Sequence, residues 1–265
     1  MNELLICAAS LSIGLILGMI GAGGSILTVP VFVYLFKMDP LSSSVYSMFV
    51  VGVAGFTGGI QSVFNKMVDF KAILVFGIPS LIGVWIARYR VLPFIPEIIF
   101  RMGDFVCTKK FLFMFSFAVL MFISAYRMLS KSSAGSEPST TNQKPSTIYL
   151  LMQGLFVGLI TGLLGMGGGF LIVPALYFWG KLSMRTAIGT ALIIIAINSL
   201  FSFANSYSGI QLDWNLLLKF TSGAVLGILA GTIAAHRVRV DQLKKIFGYF
   251  VLSLSVFILF HQVFF

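Results

Sequence analysis

Two apolar segments of this chain are too long to cross a bilayer once as straight helices, and each is broken at the same internal place. Residues 4–36 and 148–179 both exceed thirty positions, roughly 50 Å if helical throughout, against a hydrocarbon core of about 30 Å. Within them lie GMIGAGGSILTVP at 18–30 and GLLGMGGGFLIVP at 162–174, a glycine cluster followed by a proline in both cases. Six further apolar stretches, 41–64, 70–87, 111–129, 187–207, 214–235 and 246–265, have ordinary spanning length. Hydrophobic side chains make up 58% of the chain and charged ones 10%, a balance that would leave a soluble domain covered in apolar patches. The class is therefore membrane protein. Residues 1–17 are short and apolar like a signal peptide, but without a basic start or a small-residue cleavage site they read as an uncleaved first span.

The two broken segments are copies of one another. Shifting by 144 positions lays GLILGMIGAGGSILTVP at 14–30 on GLITGLLGMGGGFLIVP at 158–174, with ten of seventeen positions identical. The same shift pairs Asp69-Phe70 with Asp213-Trp214, Phe76 with Phe220 and Gly83 with Gly227, while Ser47 matches Thr190 at 143. The expected fold is all-α and polytopic: two homologous repeats of about four transmembrane segments, each with a glycine-broken first helix. The repeats occupy 1–130 and 148–265. Between them, 131–147 reads KSSAGSEPSTTNQKPST, too polar to build a core and expected to be a disordered soluble linker.

Internal repeats of this kind build transporters, with the substrate near the midplane between the halves. Glycine permits backbone angles that other residues resist, and irregular backbone in a membrane persists only where it is buried in protein or lines a wet cavity. Gly21, Gly23 and Gly24, with Gly165, Gly167, Gly168 and Gly169, are the candidate breaks. Ser25 stands where the second copy has Gly169. The half-helix after each break would aim its N–H groups and dipole at the cavity, which favours an anion, and two such half-helices could converge on one ligand. Ser47, Thr57 and Gln61 in the first half, and Thr190, Asn198, Ser202 and Asn205 in the second, are the polar residues within the spans. Of these, Ser47, Thr190 and Asn198 join the candidate substrate site as neutral donors. No Lys, Arg, Asp, Glu or His falls mid-span by this reading. GxxxG spacing also serves plain helix contact, and Gly14, Gly18, Gly158 and Gly162 take that role.

The doubled motif resembles the TauE/SafE family of sulfite-exporter-like anion transporters, and the run Ala187-Ile188-Gly189-Thr190-Ala191 is similar to the small-residue run that follows it there. The resemblance extends over the chain apart from the linker. It implies transport of sulfite, sulfonates or related organosulfur anions across a bacterial inner membrane. Substrate, direction and coupling ion are not fixed by the motif, and an assembly of identical copies is compatible with it.

Other classes fit less well. The net charge of +10 does not imply nucleic acid, because the cations lie in gaps between apolar runs, where they report topology. Cys7 and Cys107 have no disulfide or metal spacing. His236 and His261 stand at span ends without acidic partners, so an intramembrane hydrolase built on Ser25 lacks its base. No cofactor, metal or catalytic residue is expected. An anion channel using the same helix dipoles remains the alternative to a carrier.

Two structural expectations complete the reading. If each broken segment crosses once, the halves run parallel, and twelve cations gather on one face against six on the other. The twelve-cation face is then cytoplasmic, with both ends of the chain and the linker outside. If each crosses twice, the halves are inverted. The charge rule favours the first. The loop 88–110 is expected to hold an amphipathic interfacial helix begun at Pro96, with Ile98, Ile99, Met102, Phe105 and Val106 on its apolar face.

Overall fold

The computed structural model describes residues 3–21, 23–91, parts of 94–108, isolated positions between 115 and 129, 147–164, 169–206, 211–237 and isolated positions between 242 and 260. The first half gives α1 (Glu3–Ile20), α2 (Gly23–Pro30, extended by the π-helical turn Val31–Leu35), α3 (Pro40–Phe64) and α4 (Phe70–Val91, with π-helical turns at Ile73–Gly77 and Ala87–Val91). The second half gives α5 (Thr147–Leu164), α6 (Gly169–Phe178), α7 (Met184–Ser206) and α8 (Trp214–Arg237). Five of these contain stretches long and apolar enough to cross a membrane: Glu3–Ile20, Ser42–Phe64, Phe70–Val91, Met184–Ser206 and Trp214–Ala235. Thr147–Leu163 is a shorter apolar helix. The stretches 111–129 and 246–265 are described only at scattered, helical positions, and the linker lies outside the described residues apart from Thr147.

Glycine sets the helix pairing. Along α1, Ile6, Ser10, Ile13, Gly14, Leu17 and Gly18 form one buried stripe at helical spacing. That stripe lies on α8. A Cβ added to Gly14 would stand 2.1 Å from the Ala224 carbonyl oxygen, and one on Gly18 would stand 2.5 Å from that of Ile228. From the other side, a Cβ on Gly227 would come within 2.3 Å of the Leu11 carbonyl oxygen. Residue numbers rise together along the seam, so α1 and α8 are parallel. The seam between α5 and α4 repeats this. Gly158 is 2.1 Å from the Ser80 carbonyl oxygen, Gly162 is 2.8 Å from that of Val84, and Gly83 is 2.4 Å from that of Leu155, measured from the same built Cβ. Every residue in this second set is its counterpart in the first displaced by 144. Gly14, Gly18, Gly158 and Gly162 therefore do the packing work read from their spacing.

The centre of the bundle pairs α3 with α7, and here the numbers run in opposite senses. Gly52 lies against Leu200, Gly55 against Leu192 and Ala196, and Gly189 against Ser62 and Met67. The two helices are antiparallel. Both α1 and α3 end beside the start of α7, where Gly21 meets Ile188 and Met67 meets Gly189. The chain must therefore return along the bundle between them, and α2 with its π turn does this. Its far end packs beside the starts of α3 and α8, with Phe32 on Tyr46 (ring centroids 5.5 Å apart) and Phe36 on Phe220 (5.8 Å). The expectation of one crossing per broken segment, with parallel halves, is overturned. The charge rule treated Gly21 as a bend within one crossing, whereas it separates two helices of opposite direction.

Two helix ends share one design. The Met38 N–H donates to the Phe32 carbonyl (3.1 Å), and the Leu182 N–H to that of Leu176 (3.2 Å). Lys37 and Lys181 within these loops are left-handed, with φ of 53° and 52°, and each seven-to-one closure is one residue wider than the six-to-one bond of a Schellman cap. Lys37 and Lys181 are again 144 apart.

The interfacial helix is also corrected. Ile98–Met102 and Phe105–Thr108 pair as antiparallel strands, with Met102 opposite Phe105 and Ile98 opposite Thr108. Two β-branched and aromatic runs flanking Gly103-Asp104 have the composition of a hairpin, and that local preference outweighs the amphipathic pattern.

Candidate functional site

Where α1 gives way to α2, the backbone turns at Gly21, whose φ is +77°. A Cβ there would meet Ile188 Cγ2 at 2.7 Å, so both conformation and space require glycine. Next to this turn is a cavity of about 20 Å³ lined by Gly18, Ser62, Arg185, Ile188, Gly189 and Thr232, among others. It has room for about one water molecule; a larger oxyanion enters only if the helices part. Its polar lining comes from three elements. Ser62 on α3 is buried and donates to the Gly58 carbonyl at 2.8 Å. Thr232 on α8 is buried, with Oγ1 3.0 Å from the Ile228 carbonyl and in hydrogen-bonding contact with Gln61 Oε1. Arg185 on α7 is part of the wall.

Gly23, Gly24 and Ser25 form the first turn of α2, and Gly169 opens α6. Gly165, Gly167 and Gly168 lie outside the described residues. Gly21 and Gly162, the described glycines flanking the two regions, lie at opposite ends of α7. Gly21 sits against Ile188 at the start of α7, whereas α5 approaches its end at Gly162 against Val84 and Ala87. Next to these, Arg88 reaches Ser202 near the end of α7. The fourteen residues from Ile188 to Ser202 span about 20 Å at 1.5 Å each. What does meet is the pair of helices that follow the breaks, because α2 lies against α6.

The three polar candidates are likewise spread over depth. Ser47 and Thr190 are both buried, but antiparallel packing around Gly55 and Ala196 puts them at opposite ends of the α3–α7 pair, about 20 Å apart. The Thr190 hydroxyl accepts the Asp69 N–H at 3.0 Å. Asn198 lies between, 2% exposed, with Nδ2 2.9 Å from Ser80 Oγ and no partner for Oδ1 among the described residues.

Two arginines escaped the sequence reading. Arg185 is near the start of α7, and Arg88 falls within the span Phe70–Val91 because α4 continues past Ala87. Both fall just outside the apolar stretches 70–87 and 187–207, in the gaps assigned to loops. The available signal was the shift of 144, which sets Arg88 opposite Thr232 and Ser62 opposite Ser206, marking one polar position per half.

Comparison with known proteins agrees with the membrane architecture. The family described as Sulfite exporter TauE/SafE matches residues 5–258. The chain is similar to a probable membrane transporter protein of Xylella fastidiosa (strain 9a5c), 24% identical over 254 residues that cover 93% of this chain and 91% of that protein. It is also similar to the probable membrane transporter protein YunE of Bacillus subtilis (strain 168), at 25% over 267 residues, covering 93% and 92%. A probable membrane transporter protein of Haemophilus influenzae matches at 26% over 263 residues, covering 92% of each. No solved structure matches the chain. The chain belongs to the sulfite exporter TauE/SafE family of membrane transporters.

Proposed function

We propose that this protein is a carrier of small anions, built from two inverted homologous repeats in a bacterial inner membrane. The observation that carries this reading is the antiparallel contact of α3 and α7, equivalent helices of the two halves. Two copies related by an axis in the membrane plane form a recurrent carrier design, in which one half rocks against the other. Five crossings per half assign eleven cations to the linker's face and seven to the other. The charge rule then makes the linker's face cytoplasmic.

The anion preference rests on Arg185 beside the Gly21 turn, and the family description points to sulfite as the substrate, to which we add the related sulfonates. Gly21, Gly23 and Gly24 admit the ligand to backbone N–H groups at one end of the bundle, and Gly169, at the start of α6, does so at the other. Each break thus serves its own end rather than a shared central site. The 20 Å³ cavity is the closed form of the first. Catalysis has no support in the polar groups around it, and we read the protein as a transporter only.

Proteoliposome counterflow tests the proposal. Internal unlabelled sulfite or methanesulfonate should accelerate saturable uptake of the labelled anion, and Gly24→Val should abolish that uptake without loss of insertion. Unitary currents without counterflow would establish a channel instead.

A further inference from the structure

The end of the bundle opposite the cavity holds a cation that the glycine-centred reading does not use. Arg88, half-buried near the end of α4, donates Nη1 to Ser206 Oγ and, at 3.4 Å, to the Ser202 carbonyl. Its Nη2 points at Met48 Sδ at 3.5 Å. A guanidinium carries five N–H donors; three acceptors, one of them a weak thioether, leave it under-satisfied. No carboxylate among the described residues pairs with Arg88. A desolvated, unneutralised charge is costly unless something of opposite sign joins it. Ser206 accepts from Arg88 and donates to no described group, so its hydroxyl proton is available as well.

Position strengthens the case. Ser206 corresponds to Ser62, and Arg88 to Thr232, at the shift of 144. Ser62 and Thr232 line the cavity at the other end together with Arg185. Both ends of the bundle therefore carry a serine at the same place in the repeat, with an arginine nearby. The arginine comes from α4 at one end and from α7 at the other. A planar, forked donor beside a hydroxyl suits an oxyanion held by two oxygens, as in a sulfite, sulfonate or carboxylate group.

We propose that Arg88 and Ser206 form a second anion station, distinct from the Arg185 cavity, at the face of the protein bearing Lys37. This rests on the carrier reading and adds to it an affinity that differs by side.

The test uses full-length protein and labelled sulfite or methanesulfonate. KM is measured for entry from each face, in right-side-out and inverted vesicles. Arg88→Gln should raise KM at least tenfold for entry from the Lys37 face and change it less than twofold from the other, and Arg88→Lys should recover part of the loss. Ser206→Ala should raise KM threefold or more on the same face only. Equal changes from both faces, or none, overturn the station while leaving the carrier reading intact. If Arg88→Gln fails to insert, Ser206→Ala decides alone, and an unchanged KM from the Lys37 face refutes the proposal. Wild-type vesicles that move neither anion saturably overturn the carrier reading, and the station with it.

Discussion

The backbone N–H of Asp69 donates to the hydroxyl of Thr190 at 3.0 Å, fastening the start of α4 to the start of α7. Its mate is the Asp213 N–H on the Tyr46 hydroxyl, and both members are displaced by 144. Each aspartate also caps its own helix, Asp69 through the Ala72 N–H at 3.0 Å and Asp213 through that of Leu216 at 3.1 Å. A hydroxyl from one half thus holds a helix start of the other at each end of the bundle. Thr190→Val keeps the volume and strands the Asp69 N–H, at a cost of about 1–3 kcal/mol. Tyr46→Phe should do the same to Asp213. Thermal denaturation in detergent should show a lower Tm for both, with Thr190→Ser near wild type.

These bonds also show what the sequence could and could not convey. The shift of 144 was legible in Gly14–Pro30, but Ser47 was aligned with Thr190 at 143 because both are small hydroxyl residues. The partner at 144 is Tyr46, whose aromatic ring concealed an equivalent hydroxyl. The helices were legible as apolar runs and their seams as glycine spacing. Direction was not, because an apolar run has no arrow, and the parallel and inverted arrangements divide the cations twelve to six or eleven to seven. The charge rule favours the larger bias, but the difference between the two divisions is too small to fix direction. Arg88 was missed because π-helical Ala87–Val91 carries α4 beyond its last apolar run.

Helix direction yields a labelling prediction. With Cys7 and Cys107 replaced by serine, single cysteines at the exposed positions Lys37, Lys66 and Lys181 report three loops. Inverted halves put Lys66 and Lys181 on one face and Lys37 on the other. Parallel halves would group Lys37 with Lys181. An impermeant maleimide applied to intact cells distinguishes the two, and labelling of Lys37→Cys together with Lys181→Cys from one side sinks the inverted arrangement.

The seams predict a contrast among glycines. Alanine at Gly14 or Gly158 sets its Cβ 2.1 Å from a carbonyl oxygen of the facing helix, and backbone cannot rotate away. Either change should cost about 1–3 kcal/mol as the helices separate. Gly77→Ala meets only the side chain of Ile194, with Cγ1 at 3.2 Å, a contact relieved by a shift of a few tenths of an ångström, and should be tolerated within about 0.5 kcal/mol. Tm and monodispersity in detergent measure the difference. A Gly14→Ala protein as stable as wild type would remove the close seam.

The paired caps give the last prediction. Lys37 and Lys181 hold left-handed backbone at φ of 53° and 52°, which costs an L-residue roughly 1–2 kcal/mol. Glycine removes that strain but loses about 0.5–1 kcal/mol through the greater freedom of the unfolded chain. Lys37→Gly and Lys181→Gly should each therefore raise stability by a few tenths of a kcal/mol to about 1 kcal/mol. Valine, whose branched Cβ resists positive φ, should lower it by more than about 1 kcal/mol. The two sites terminate α2 and α6 at opposite ends of the bundle, so the double glycine variant should gain close to the sum. Thermal unfolding of the two single variants and the double in one detergent measures this. A fall in Tm for either glycine variant would mean that the lysine side chain, rather than the cap geometry, holds that helix end.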